Sequence, residues 1–234
     1  MQKNRVYWNE LLGSEWTRAL APVLRDPYME KLTGFIAIES AMNHVYPSED
    51  EIFKYFKLCP LENLKIVVMF KEPGIDSSIF PGQLSDNYID TYHHANLNSI
   101  TDCIYRDYYL ESEENIFFPF EHCPDTWATQ GVLILPTSLT TRMGNSGGHI
   151  KPWRKFTEAV INEIVENHPG TIFMLWGDEA IEYSKLLTNQ HVFTWESPSK
   201  AVKANRDWHC NNFKSVDKLL NSLYGEKSNI HIKW

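Results

Sequence analysis

The chain carries an acidic side chain, Glu72, in a setting that could support chemistry. It follows the stretch VVMF, residues Val67 to Phe70, and is flanked by Lys71 before it and by Pro73 and Gly74 after it. An apolar run ended by a Pro-Gly turn reads as a buried strand reaching the rim of a sheet. A carboxylate at such a rim can take a proton from an attacking water or stabilise positive charge developing on a substrate. The plain alternative is a solvated turn acid. Ser199, in ESPSKAV, offers a hydroxyl donor in another turn. After it come Lys200, Lys203, Arg206, Lys214 and Lys218, opposed only by Asp207 and Asp217. A local cluster of this kind can contact phosphates although the formal net charge is -8, because binding needs cations at the contact rather than a basic total. KPWRK, Lys151 to Lys155, is a second basic cluster, and both clusters could also be ordinary solvated faces. The pair His93-His94 has no third ligand at metal spacing, and Cys59, Cys103, Cys123 and Cys210 form no CxxC motif. Reduced thiols, no metal and no other cofactor are therefore expected.

These groups need elements to position them. LKIVVMF and QGVLILPTSL read as buried strands and TIFMLWG and HVFTWESPS as two further strands, near residues 65–70, 131–135, 171–176 and 191–195. Segments with apolar residues at three-to-four spacing flank and separate them. They are WTRALAPVLRD, YMEKLTGFIAIESAMN, SEDEIFKYFKL with Ser48 as N-cap, NLNSITDCIYRDYYL, WRKFTEAVINEIVENH, DEAIEYSKLL and FKSVDKLLNSLYG. Strands alternating with helices imply right-handed crossovers and a mainly parallel sheet. Ligands of such sheets sit beyond the carboxyl ends of the strands. Those ends carry Lys71 to Gly74, Pro136 to Ser138, Trp176 to Asp178 and Glu196 to Ser199, so the four turns are expected to converge on one site.

The 234 residues suffice for one large domain or two small ones, and no linker or repeat divides them, so a single domain over 1–234 is expected. A hydrophobic content of 43% and a charged content of 22% are ordinary for a globular protein. No run of 18 apolar residues is present, which argues against a membrane span. The first residues, MQKNRVYWNELLGSEW, lack an apolar signal core, which points to a cytoplasmic protein.

With these motifs placed, the chain resembles the family-1 uracil-DNA glycosylases over nearly its whole length. KIVVMFKEPG is similar to the family's KVVILGQDPYH, and QGVLILPTSLTTRMGNSGGH to its QGVLLLNTVLTVRAG...SH. PWRKFTEAVI, FMLWG and WHCNNF match GWxxFTDAVI, FLLWG and FGCRHF in the same order. The resemblance implies a three-layer α/β/α fold with a central, mainly parallel four-stranded sheet. It also implies DNA as the partner, a nucleotide flipped into a closed pocket, and a monomeric enzyme that hydrolyses N-glycosidic bonds.

At the functional positions the chain departs from the pattern. The family's catalytic Asp falls on Glu72, one methylene longer. The His that donates to the departing base falls on Ser199, and the Asn that reads uracil falls on Pro136. The Tyr that blocks a 5-substituent falls on Gly74. The Gly and Gln before the Asp fall on Phe70 and Lys71, and Phe80 is the candidate for stacking on the base. His149 occupies a family-like position near the DNA groove. Lys200, Lys203 and Arg206 lie in the turn of the family's minor-groove wedge, with Val202 as its nearest apolar candidate. Two donors worth roughly 3 kcal/mol each in an oxyanion-hole setting are lost or weakened, which disfavours uracil as substrate. Two readings follow. One is a glycosylase for a bulky 5-modified pyrimidine, such as the glucosylated hydroxymethylcytosine of phage DNA, serving antiviral defence. The other is a catalytically inactive relative kept as a DNA-binding or protein-interaction module.

Overall fold

The computed structural model describes residues 2–73, 95–110, 124–225 and 232–234. Four strands form the central sheet: β2 (Ile66–Phe70), β3 (Val132–Pro136), β5 (Ile172–Trp176) and β6 (His191–Trp195), in the order β3-β2-β5-β6 and all parallel. A short antiparallel pair, β1 (Val45–Tyr46) with β4 (Thr141–Arg142), lies apart from it. The helices in chain order are α1 (Gln2–Leu12), α2 (Ser14–Ala19), α3 (Ala21–Leu24), α4 (Pro27–Met42), α5 (Lys54–Leu58) and α6 (Ala95–Tyr105). They continue with α7 (Pro124–Thr129), α8 (Ile150–Asn167), α9 (Asp178–Ile181), α10 (Pro198–Lys203) and α11 (Phe213–Tyr224).

The sheet is covered on both faces, which is why its inner strands are continuous apolar runs. Side chains alternate between the faces. Val67, Met69, Leu133, Leu135, Phe173 and Leu175 enter one core with α1, α2, α4 and α8. Ile66, Val68, Ile134, Ile172, Met174 and Trp176 enter the other, with α6, Trp208 and α11. This is the three-layer α/β/α arrangement implied by the resemblance. The helices follow their apolar spacing: α8 buries Trp153, Phe156, Val160, Ile161 and Ile164. In α4, Asp26 caps the helix by accepting from Tyr28 N at 2.8 Å, and Pro27 needs no partner at the first position.

Two helical expectations are corrected. WTRALAPVLRD is broken at Leu20, because Pro22 has no N–H to continue a helical ladder and sits instead in the first turn of a new short helix that starts at Ala21. The helix expected from Ser48 starts at Lys54; before it the chain makes successive i→i+3 turns, from Ser48 O to Glu51 N and Glu51 O to Lys54 N. Among the described residues, no helix is long and apolar enough to cross a membrane. Cys59, Cys103 and Cys210 are buried free thiols, and Cys123 lies outside the described residues.

Candidate active site

The carboxyl ends of the four strands are tied together by hydrogen bonds that extend the sheet past its last residues. Thr137 N donates to Phe70 O at 2.8 Å, and Thr137 Oγ1 donates to Lys71 O at 2.6 Å. Ser138 N donates to Lys71 O at 3.2 Å, so the backbone leading into Glu72 is clamped to the turn after β3. On the other side of the sheet, Gly177 N donates to Trp195 O at 2.8 Å. Gly177 has φ 96°, and a Cβ there would stand 3.0 Å from Ser197 Cβ. Only glycine lets the turn after β5 approach the turn after β6 this closely.

Between these turns lies a cleft of about 460 Å³. Its wall holds the carboxylates Asp178, Glu179 and Glu196, the amines Lys71, Lys200 and Lys203, and the hydroxyls Ser146, Ser197 and Ser199. No aromatic side chain belongs to the wall among the described residues. Lys71 Nζ is 3.0 Å from Glu179 Oε1. Ser197 caps α10, its Oγ accepting from Lys200 N at 3.3 Å, and shares a 2.9 Å hydrogen bond with Ser199 Oγ. Arg206 pairs with Glu196, and the guanidinium holds that carboxyl below the usual carboxylate range.

Glu72 is 0% exposed and lies behind this wall. Its carboxylate is directed into the loop that follows β4. Ser146 Oγ donates to Oε1 at 2.5 Å, while Thr141 Oγ1 and Gly147 N donate to Oε2 at 2.9 and 2.8 Å. Gly147 adopts φ 81°, which turns its N–H toward the acid. Neither the three donors nor Glu179 was singled out from the sequence. GNSGG signals a flexible turn there, but nothing local says which acid it would meet.

The remaining sequence candidates divide. Lys71, Ser199, Lys200 and Lys203 reach the cleft. Val202 is half-buried on α10, and Arg206 is exposed beside it. Gly74 and Phe80 lie outside the described residues. Phe70 and Pro136 pair side by side at the ends of β2 and β3, both buried, and neither is among the described residues of the cleft wall. His149 is likewise not at an open groove but 1% exposed. Its ring packs edge-on against Phe35, its Nδ1 shares a 2.9 Å hydrogen bond with Thr140 Oγ1, and its Nε2 is 3.6 Å from Glu39 Oε2. Burial holds the imidazole below its ordinary pKa, and Glu39 opposes that shift. In KPWRK, Arg154 pairs with Glu182 and Lys155 with Asp26, so that cluster is largely a neutralised surface.

No protein-family model matches the chain. It is 31% identical over 223 residues to the uracil-DNA glycosylase of Chlamydia felis, covering 92% of this chain and 90% of that protein. It is 29% identical over 217 residues to uracil-DNA glycosylase 1 of Bacteroides fragilis, covering 92% and 96%. Among solved structures, mimivirus uracil-DNA glycosylase superposes with a TM-score of 0.75 at 18% identity, covering 96% of this chain and 87% of that one. The UNG of Nitratifractor salsuginis gives 0.59 at 17% identity, covering 99% and 97%. At these identities the structural likeness speaks to the fold.

Proposed function

This chain belongs to the uracil-DNA glycosylase family, and from that premise we propose that it is a DNA glycosylase acting on a pyrimidine with a bulky 5-substituent rather than on uracil. Hydrolysis of the N-glycosidic bond releases the base and leaves an abasic site. The observation that carries the choice of substrate is the lining of the cleft. Its volume of about 460 Å³ falls within the roughly 300–1,000 Å³ of small-molecule pockets. Carboxylates, amines and hydroxyls in one wall are the donors and acceptors that a polyhydroxylated substituent requires. Pro136, at the position of the family's uracil-reading Asn, has no side-chain group with which to recognise the uracil edge. Glucosylated 5-hydroxymethylcytosine satisfies both conditions. Such bases occur chiefly in phage DNA, and the role proposed here is antiviral defence in the cytoplasm, with the enzyme working as a monomer on a flipped base. In this reading Glu72 is the catalytic carboxylate, Ser199 a donor to the departing base, and Lys200 and Lys203 contact DNA phosphates.

One observation favours the second reading, an inactive relative that only binds DNA or protein: Glu72 is sealed from the cleft and held by three donors. The test is incubation with duplexes carrying uracil, 5-hydroxymethylcytosine or its glucosylated form, followed by alkali to cut abasic sites. Strand cleavage at the glucosylated base and none at uracil is the expected result. Efficient uracil release would overturn the substrate assignment. Binding to all three duplexes without cleavage would leave the inactive module.

A further inference from the structure

The wall of the cleft contains a hydroxyl that is already bonded to Glu72. Ser146 is exposed and lines the cleft, and its Oγ donates to Glu72 Oε1 at 2.5 Å. The other carboxylate oxygen, Oε2, accepts from Thr141 and Gly147 in the same loop. A serine that donates its own proton keeps its oxygen lone pairs as acceptors. Ser146 can therefore accept from a water in the cleft while it donates to the acid behind it. Glu72 itself is 0% exposed and is not part of the wall, so Ser146 is the described group that touches both the acid and the cleft.

We propose that Ser146 is a catalytic hydroxyl that relays the proton of the attacking water to Glu72. The proposal rests on the glycosylase reading above. In the step, the water oxygen forms a bond to C1′ of the deoxyribose. One water proton passes to Ser146 Oγ, and the serine's own proton passes to Glu72 Oε1. The bond from C1′ to the base nitrogen breaks, and its electron pair leaves on that nitrogen. The base takes a proton from solvent and Glu72 returns one, so the sum is one water added across the N-glycosidic bond.

The test is single-turnover release from a duplex carrying glucosylated 5-hydroxymethylcytosine, measured for the unmutated protein, Ser146→Ala and Ser146→Thr. General-base contributions of about 10²–10⁴-fold set the scale for loss of the relay. Ser146→Ala should fall by about 10²-fold or more with DNA affinity unchanged, and Ser146→Thr, which keeps the hydroxyl, should recover most of the rate. A merely structural serine would not affect the proton inventory. In mixtures of light and heavy water, the rate of the unmutated enzyme should curve with deuterium fraction, since two protons move together. A straight line, or Ser146→Ala within a few-fold of the unmutated rate, overturns the relay while leaving the glycosylase reading intact. Should Ser146→Ala melt early, the inventory of the unmutated enzyme decides alone. If the unmutated protein releases no base from any of the three duplexes, the glycosylase reading fails first and the relay with it.

Discussion

Glu72→Gln keeps the shape of a buried side chain while removing the charge to which Thr141, Ser146 and Gly147 donate. The amide must turn an N–H₂ toward at least one of them, and an unmatched buried donor costs about 1–3 kcal/mol. Thermal melting should show that loss as a modest drop, whereas base release should fall by about 10²-fold or more. Release within a few-fold of the unmutated rate would make Glu72 a structural tie of the 141–147 loop. His149 carries a separate expectation, about pH. Its buried ring takes a proton at lower pH than its ordinary value of 6.5, so just below 6.5 the unfolded chain binds more protons than the folded one. Stability from this residue is therefore complete above that value and declines as pH falls through it. Glu39, Arg142 and Glu72 are the charged groups acting on the ring. Urea unfolding of the unmutated protein and of His149→Gln should converge as pH falls from 7 to 5; divergence would reverse the assignment. Among single residues, legibility depended on partners. Glu72 was readable because a strand and a Pro-Gly turn bracket it. Ser146 was not, because the acid it bonds is 74 positions away and a Gly-rich turn gives no periodicity to connect them.

The central strands could be read to within a residue or two: burial of every residue in β2, β3 and β5 leaves uninterrupted apolar runs, and the edge strand β6, partly exposed, was marked by the Ser-Pro turn that follows it. The opposite holds for β1 and β4: two residues each show no alternation, and their pairing depends on the path of the surrounding chain. The helix α1 escaped for a related reason, since its last two turns bury only Trp8 and Leu12 and half-bury Leu11, too sparse a stripe to stand out. His149 misled because a family-like position says where a residue sits in the chain, not which way Phe35 and Glu39 of α4 will enclose it. The element with the clearest functional consequence is α10. Its capped start holds Lys200 and Lys203 at the cleft wall, one turn apart on one edge. Replacing both by Glu should weaken DNA binding and flatten its dependence on salt. Each phosphate contact contributes a slope of about 0.9 in log affinity against log salt, so two contacts should remove close to twice that. An unchanged slope, measured by fluorescence anisotropy across a salt series, would move the DNA contact elsewhere.

The two cores of the molecule are not independent bodies, because alternate side chains of the same strands build both. Losing either face strips the sheet that supports the other. Urea unfolding should therefore proceed in one transition, with the same midpoint by far-ultraviolet dichroism and by tryptophan fluorescence, since Trp16 reports on one core and Trp176 on the other. Separate midpoints would show that the faces come apart. The charges on the outside of this unit have a kinetic consequence. The net charge is -8, and several of its cations are already committed: Arg206 to Glu196, Arg154 to Glu182, Lys155 to Asp26 and Arg106 to Asp207. Among the described residues, the edge carrying Lys200 and Lys203 is where cations stand at the cleft itself. Non-specific residence on a duplex lengthens with the number of counterions released, so each cation committed to an ion pair shortens it. Under the proposed function, such a protein would sample a genome by many brief, separate landings rather than by long travel along one stretch, and it would stay only where something on the base fills the cleft.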